Sequence, residues 1–320
     1  MKTERLKKSL FHLPCRLPRM SALDKERWTA FGFVVPLLLF VVLFILIPVL
    51  GTLADSFFLD VTYLPKRFLG LENYGWLLRD PGFWQSVRFT CLFVTVSVPL
   101  EIALGLMIAL VLNEPLHMRG LFRACVLIPW AIPAAVSGRV FELIYNYSFG
   151  AANYLFRVLH LAEGPVNWLG SGAGAFFALV AADSWKTTPF AAIILLAGLS
   201  SIPDDLYRQA MVDRATLIQR FTRITLPLLR PVLIVTLLFR TIDALRVFDV
   251  IYVLTGGGPG GTTTSLSLFG YHYFSTGDFG YGSAASVILF LMAFALSIIL
   301  TVHGFKGSGF KGSEPLSSDF

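Results

Sequence analysis

The sequence predicts an all-α polytopic membrane protein with six transmembrane helices and both termini in the cytoplasm. The 320-residue chain is 55% hydrophobic and only 14% charged, with a mean hydropathy of +0.70, whereas soluble domains carry about 25% charged residues. Several apolar windows are about 20 residues long, which is enough to span a bilayer. Lysine and arginine concentrate in alternate loops, as the positive-inside rule requires of a polytopic protein.

Each predicted span is an apolar window with few charges. In chain order they are Phe31–Leu50, Thr90–Leu112, Leu121–Ile144, Ala175–Leu199, Val232–Leu254 and Ala284–His303. The first window has the position of a signal peptide, but it is long and further spans follow, so we expect an uncleaved anchor.

The loop charges give the predicted orientation and the domain organisation. We expect a cytoplasmic basic N-terminal segment over residues 1–28, a six-helix domain over 29–305 and a cytoplasmic tail over 306–320. The excess of lysine and arginine, which gives a pI of about 9.3, is explained by their positions in the predicted cytoplasmic segments. It therefore does not indicate nucleic-acid binding. Tryptophans are expected as interfacial anchors, at Trp76, Trp84, Trp130 and Trp168.

A charged block, Ser201–Pro231, separates the fourth and fifth predicted spans. Asp204 and Asp205 follow Pro203, as in the first turn of a helix, where the helix dipole favours negative charge. An apolar face recurs at helical spacing, on Leu206, Tyr207, Ala210 and Met211, and a second stripe follows on Leu217, Ile218, Phe221 and Ile224. The pattern predicts two short amphipathic helices, ended by Pro227 and Pro231. One interpretation is a solvated basic loop, and the other is a docking element for a cytoplasmic partner.

Ionisable residues also lie inside predicted spans, where each costs about 2.5–3.5 kcal/mol on insertion scales. Asp183 and Lys186 are three residues apart, as are Arg240, Asp243 and Arg246. Residues at this spacing can pair on one helix face. Two interpretations remain open: ion pairs that pin helices together, or a polar cavity for a sugar beside aromatic rings. For Glu101, and for Arg139 with Glu142, we expect structural pairing.

The stretch "LYRQAMVDRATLIQRFTRITLPLLRP" resembles the EAA loop of binding-protein-dependent ABC transporter permeases. In that family the loop inserts its short helix into a cleft on the ATPase subunit. The resemblance implies a coupling loop over residues 201–227 and docking contacts at Leu206, Tyr207, Arg208, Ala210, Met211, Asp213, Arg214 and Ala215. Two residues depart from the pattern: Arg208 replaces the usual Glu, and Arg214 replaces the usual Gly. A non-Gly residue at positive φ costs about 1 kcal/mol.

Further segments resemble the carbohydrate branch of these permeases, of the maltose and trehalose kind. They are "FLGLENYGWLL", "SWKTTPFAAIILLAGLSSIP" and "LFRTIDALRVFDVIYVLTGGGPG". This resemblance implies the type I ABC importer permease fold, with the sugar site at Asp183, Lys186, Thr187, Phe190, Phe239, Arg240, Asp243 and Arg246. It also implies three protein partners: a second six-helix permease, a dimer of ATPase subunits and an extracytoplasmic sugar-binding protein. The implied substrate is a carbohydrate, and the implied location is the bacterial cytoplasmic (inner) membrane, where lipid surrounds the chain.

We expect this chain to be a non-catalytic subunit that binds no cofactor or metal. No stretch matches the G-x-x-x-x-G-K-[ST] pattern, so ATP and Mg are expected on the partner ATPase. The three cysteines and five histidines have no metal-binding spacing. The alternative function is an ATP-independent secondary transporter or channel with Asp183 and Lys186 as a relay, which leaves the charged block without a role. A membrane-embedded enzyme is disfavoured because no pair of acids converges.

Overall fold

The computed structural model describes residues 22–115 and 117–305, which divide into two units, residues 22–51 and 52–305. The predicted C-terminal tail and residues 1–21 of the predicted basic segment lie outside the described residues. Residues 22–28 already belong to the first helix, so the predicted boundary at residue 28 does not coincide with a change of backbone structure.

The first unit is helical throughout its described length. Helix α1 covers Ala22–Val41, a π-helical segment covers Val42–Leu46, and helix α2 covers Ile47–Asp55, which continues into the second unit. The part from Thr29 to Asp55 is long and apolar enough to cross a membrane, with a mean hydropathy of 3.2 over its best window. The first predicted span, Phe31–Leu50, therefore coincides with a helix.

The second unit contains one small hairpin and twelve helices within the described part of the chain. Strands β1 (Phe58–Leu59) and β2 (Arg67–Phe68) are antiparallel, with Phe58 opposite Phe68 and Leu59 opposite Arg67. The helices are α3 Glu72–Arg79, α4 Pro81–Asn113, α5 Arg119–Ala131, α6 Ala134–Ile144, α7 Ala151–Val158, α8 Gly172–Ser200, α9 Asp204–Val212, α10 Leu217–Arg220, α11 Leu226–Leu245, α12 Asp249–Leu254, α13 Leu266–Ser275 and α14 Phe279–Phe305.

Four described helices are long and apolar enough to span a membrane, or five if one bent pair counts as a single span. Besides the first, they are α4, α8 and α14, which contain the second, fourth and sixth predicted spans. The third predicted span is not straight: α5 and α6 meet at 88° next to Pro133, because a proline disfavours the helical conformation of the residue before it.

The fifth predicted span, Val232–Leu254, is not one helix. Helix α11 ends at Leu245 and α12 begins at Asp249. Helix α11 is not among the four spans, and it carries three ionisable residues, Arg230, Arg240 and Asp243. Length and composition therefore support four or five spans among the described helices, and a sixth span stays a prediction.

The core of the second unit forms where α4 and α8 pack side by side. Phe89 and Phe93 of α4 contact Phe176 of α8 edge to face, within a cluster of buried apolar side chains. Further along, a Cβ on Gly105 of α4 would come within 3.0 Å of the Ala191 Cβ of α8. Small residues allow membrane helices to approach closely, so this contact fixes the distance between the two helices.

Candidate functional site

A polar cavity of about 780 Å³ lies where the two broken helices meet the middle of α8. One break separates α5 from α6, and the other separates α11 from α12. Non-helical backbone at membrane depth is tolerated where it is buried in protein or lines a cavity. The two breaks that the sequence did not predict therefore form the walls of this cavity.

Seven of the eight residues predicted for the sugar site line this cavity. They are Asp183, Lys186, Thr187 and Phe190 from α8, with Phe239, Asp243 and Arg246 from the end of α11. The structure thus brings together side chains from two segments more than 45 residues apart in the sequence. Their contact with a substrate stays a prediction.

The break after α5 adds a wall that sequence reasoning missed. Trp130, which the sequence suggested as an interfacial anchor, lines the cavity, and its ring stacks on Phe190 with centroids 5.8 Å apart. The Lys186 Nζ donates a hydrogen bond to the Trp130 carbonyl at 3.3 Å. Cations favour the carbonyls at a helix C-terminus, and α5 ends one residue later. Pro133, which lies within the predicted third span and two residues after the end of α5, was the available signal.

The eighth predicted residue, Arg240, lies behind the cavity wall. Its side chain is 2% exposed, and its Nε donates to Oε2 of Glu101 on α4 at 2.7 Å. One terminal nitrogen of Arg240 donates a short hydrogen bond to Asp243, one turn along α11. The other lies 3.6 Å from Asp183 Oδ2 on α8. Arg240 therefore joins three helices, whereas the ion-pair interpretation had two, and its geometry favours positioning over contact with a ligand.

The predicted pair of Asp183 with Lys186 does not form, because Asp183 faces Arg240 and Lys186 bonds to Trp130. Asp243 instead bridges the buried cluster and the cavity. One of its oxygens contacts Arg240, and the other accepts from Arg246 at 3.1 Å. The expected structural pairs are present, with Arg240 on Glu101 and Arg139 bonded to Glu142 at 2.6 Å.

The break after α11 supplies further lining residues that sequence reasoning missed, Phe248 above all. Its ring stacks on Tyr252, with centroids 5.4 Å apart, and Tyr271 contacts it edge to face at 5.0 Å. Tyr252 and Tyr271 are exposed, so an aromatic surface continues outward from the cavity. No glycine or proline marks this break in the sequence.

The coupling loop forms two helices joined by a tight turn, as predicted. Helix α9 ends in a Schellman motif: the Arg214 amide donates to the Met211 carbonyl at 3.1 Å, and the Ala215 amide to the Ala210 carbonyl at 2.9 Å. Arg214 has a φ of +55°. This is the left-handed conformation that the family's usual glycine would adopt without strain.

The loop exposes four of the eight apolar residues predicted for its two stripes, together with Val212. Tyr207 and Ala210 are half-buried, and the Tyr207 hydroxyl lies 2.9 Å from Thr225 Oγ1 on the other arm of the loop. The exposed apolar side chains are Leu206, Met211, Val212, Leu217 and Ile218, with Val212 83% exposed. Among the residues that the structure describes, the ion-pair partner of Arg208 is Asp205, at 3.7 Å on an exposed surface.

The prediction that Pro227 and Pro231 end the charged block is wrong. Helix α10, capped by reciprocal hydrogen bonds between Thr216 and Gln219, continues through a π-helical segment, Phe221–Thr225, directly into α11. Local π adjustments allow membrane helices to accommodate proline. The coupling loop and the cavity are therefore the two ends of one uninterrupted helical stretch.

A helical bundle with apolar spans, a polar cavity at two helix breaks and an exposed two-helix loop defines a transport protein of the permease class. Residues 101–305 match the family described as "Binding-protein-dependent transport system inner membrane component". The chain belongs to this family of ABC transporter permeases.

Named relatives and solved structures agree with this assignment. The trehalose/maltose transport system permease protein MalF of Thermococcus litoralis is 52% identical to this chain, and the match covers 86% of this chain and 93% of the MalF chain. The sulfoquinovosyl glycerol permease SmoG of Agrobacterium fabrum is 40% identical, over 86% of this chain and 89% of its own. A bacterial ABC transporter that imports alginate superposes with a TM-score of 0.78 at 22% identity, covering 89% of this chain and 97% of that one, which establishes the permease fold.

Proposed function

We propose that this chain is a permease subunit of an ATP-driven sugar importer and forms half of the path for a disaccharide or related carbohydrate of the trehalose and maltose class. The observation that carries the proposal is the 52% identity, over most of both chains, to a permease named for trehalose and maltose transport. Identity at this level over most of both chains favours a related substrate class.

The cavity has the chemistry that a sugar requires. Its volume of about 780 Å³ lies within the range of small-molecule sites, about 300–1,000 Å³. Lys186, Asp243 and Arg246 offer charged donors and acceptors for hydroxyl groups, and the stacked rings of Trp130 and Phe190 offer an apolar surface. Polar groups that fix orientation beside aromatic rings are the usual composition of a ligand site.

Exposed ionisable groups support a second permease subunit. Arg246 is 71% exposed and Asp243 45% exposed by side chain, at a depth where lipid contact is costly. A second six-helix subunit that faces the cavity would remove these groups from lipid. In this proposal α11 and α12 form the fifth of six spans, both termini lie in the cytoplasm, and the complex resides in the cytoplasmic membrane.

The coupling loop supports a cytoplasmic ATPase partner. Its exposed apolar residues, such as Met211 and Val212, lie beside exposed arginines, and an apolar helix face seated in a groove is a common mode of protein recognition. In the proposal a dimer of ATPase subunits binds ATP and Mg, and an extracytoplasmic binding protein delivers the sugar. Family membership does not support the alternative of a secondary transporter or channel.

The test is transport by the complete importer in proteoliposomes, with a panel that contains trehalose, maltose and sulfoquinovosyl glycerol. We expect trehalose or maltose to stimulate ATP hydrolysis and uptake. Lys186→Met should weaken the apparent affinity about 10- to 100-fold, because a hydrogen bond to a charged group contributes about 1.5–3 kcal/mol. Arg139→Met, which removes an exposed cation outside the cavity, is the matched control. Uptake without ATP, or no response to any disaccharide, would contradict the proposal.

A further inference from the structure

A second large groove, of about 960 Å³, lies between the first halves of α4 and α8, apart from the substrate cavity. Helix α8 runs from this groove, at Gly172, to Ser200 just before the coupling loop. The groove is thus at the opposite end of the helices from the loop. In the proposed orientation it faces the outer leaflet of the membrane.

One end of the groove carries two arginines, Arg79 and Arg88, beside Gln85 and Trp84. Both arginines are exposed, and neither forms an ion pair with any described residue. The carboxylate of the adjacent Asp80 accepts hydrogen bonds from the Gly82 amide at 2.7 Å and from the Tyr281 hydroxyl at 3.0 Å, and it pairs with neither arginine.

These arginines contrast with the lysine on the neighbouring hairpin. Lys66 contacts Asp55 at 2.6 Å and Asp60 at 2.7 Å, so its charge is neutralised within the chain. Two exposed guanidinium groups without an ion pair to any described residue thus line one groove, and phosphate is an anion whose geometry matches arginine.

The rest of the groove is apolar and runs down the bundle from the arginines. Leu92 and Val96 follow Arg88 on one face of α4, one and two turns further along, and Phe177 of α8 forms the opposite wall. Leu92 is 54% exposed and Phe177 65% exposed. Eight helical residues from Arg88 to Val96 rise about 12 Å, close to the hydrocarbon depth of one leaflet, about 15 Å.

We propose that this groove is a binding site for an anionic phospholipid. The phosphate lies between Arg79 and Arg88, and one acyl chain follows Leu92, Val96 and Phe177. Trp84 precedes Arg88 by one turn of α4 and lies on the headgroup side of the groove, and tryptophan is favoured at membrane interfaces. The charged end favours a lipid over an apolar helix, because a lipid phosphate supplies a counter-ion for the guanidinium groups and an apolar helix supplies none.

The experiment measures lipid retained by the intact transporter complex, purified in mild detergent and offered phosphatidylglycerol and phosphatidylcholine in equal amounts. Native mass spectrometry reports the ratio of the two bound lipids. We expect phosphatidylglycerol to be preferred. Arg79→Gln and Arg88→Gln should each reduce this preference about fivefold, and the double variant about 25-fold, from the usual contribution of one arginine near an anionic headgroup.

Arg67→Gln is the matched control, because Arg67 is an exposed arginine on the neighbouring hairpin that does not line the groove. It should leave the preference unchanged, and all variants should elute as intact complexes. Equal losses in Arg67→Gln and the double variant would overturn the proposal. Displacement of the lipid by glycerol phosphate at equal concentration would instead identify a soluble anion site.

Comparison of the isolated subunit with the assembled transporter tests the other possible occupant, a helix of the partner permease. If the isolated subunit prefers phosphatidylglycerol but the assembled transporter does not, a helix of the partner permease covers the groove and the lipid proposal is wrong. Retention of the preference in the assembled transporter supports it. Neither result depends on which sugar is carried, so a failure here is distinguishable from a failure of the proposed function.

Discussion

Arg240→Met tests whether the buried ion cluster holds α4, α8 and α11 together. The arginine is 2% exposed and Glu101 is fully buried, with 2.7 Å between Arg240 Nε and Glu101 Oε2. Asp183 and Asp243 complete the cluster. Methionine preserves much of the side-chain volume and removes the charge, so the variant isolates the electrostatic contribution.

The expected cost follows from what the variant leaves behind. Removing one partner of a buried ion pair typically costs about 3–5 kcal/mol, because the other charge stays buried without compensation. Here Glu101 Oε1 and Asp183 Oδ2 already lack a hydrogen-bond partner, so Arg240 is the main compensation for two carboxylates. Glu101→Gln should cost less, about 1–3 kcal/mol, since the amide keeps an acceptor for Arg240.

Arg246→Met is the matched control for this prediction. Arg246 contacts the same Asp243, at 3.1 Å, but its side chain is 71% exposed, and exposed pairs contribute about 0–1 kcal/mol. Stability is measured as the unfolding midpoint of the detergent-purified protein, with intact complex followed by size-exclusion chromatography. Equal shifts for Arg240→Met and Arg246→Met would refute the assignment of Arg240 as the structural centre of the cluster.

Three further predictions concern the coupling loop and the topology. Arg214→Gly should stabilise the turn by up to about 1 kcal/mol, because glycine adopts the φ of +55° without strain; a fall in the unfolding midpoint would contradict this. Met211→Ala should reduce ATPase co-purification more than Arg220→Ala does, since apolar anchors typically cost more than about 1 kcal/mol when truncated; equal retention would count against a docking role. A single cysteine placed at Arg214 should react with a membrane-impermeant reagent only from the cytoplasm, and one placed at Gly258 only from outside; the reverse would exclude the proposed orientation.

The straight helices were predictable from sequence because burial in lipid imposes a long apolar window. Helices α4, α8 and α14 each contain the predicted span and extend beyond it. The two breaks were not predictable from such windows, since both sides of each break are apolar. Pro133 gave a local signal for the first break, whereas the second, between Leu245 and Asp249, depends on tertiary packing.

The cavity residues were predictable for a different reason. An ionisable side chain in an apolar window is costly unless it faces a cavity or a partner, and this reasoning selected Asp183, Lys186, Asp243 and Arg246. It did not separate cavity residues from buried pairs. Arg240 has the same spacing as its neighbours, but its main partner, Glu101, lies 139 residues earlier in the chain, and only the folded structure brings them together.

The continuity of α10 and α11 gives the proposed function a physical link between its two sites. From Leu217 to Leu245 the chain is helical without interruption, a length of about 42 Å at 1.5 Å per residue. A hydrogen-bonded helix transmits displacement along its axis, and this one ends beside Asp243 at the cavity wall. Arg240, one turn earlier, ties the same helix to α4 and α8. Under the proposed function, an ATPase that moves the coupling loop would act on the cavity through α11, which ends at Leu245 before the break.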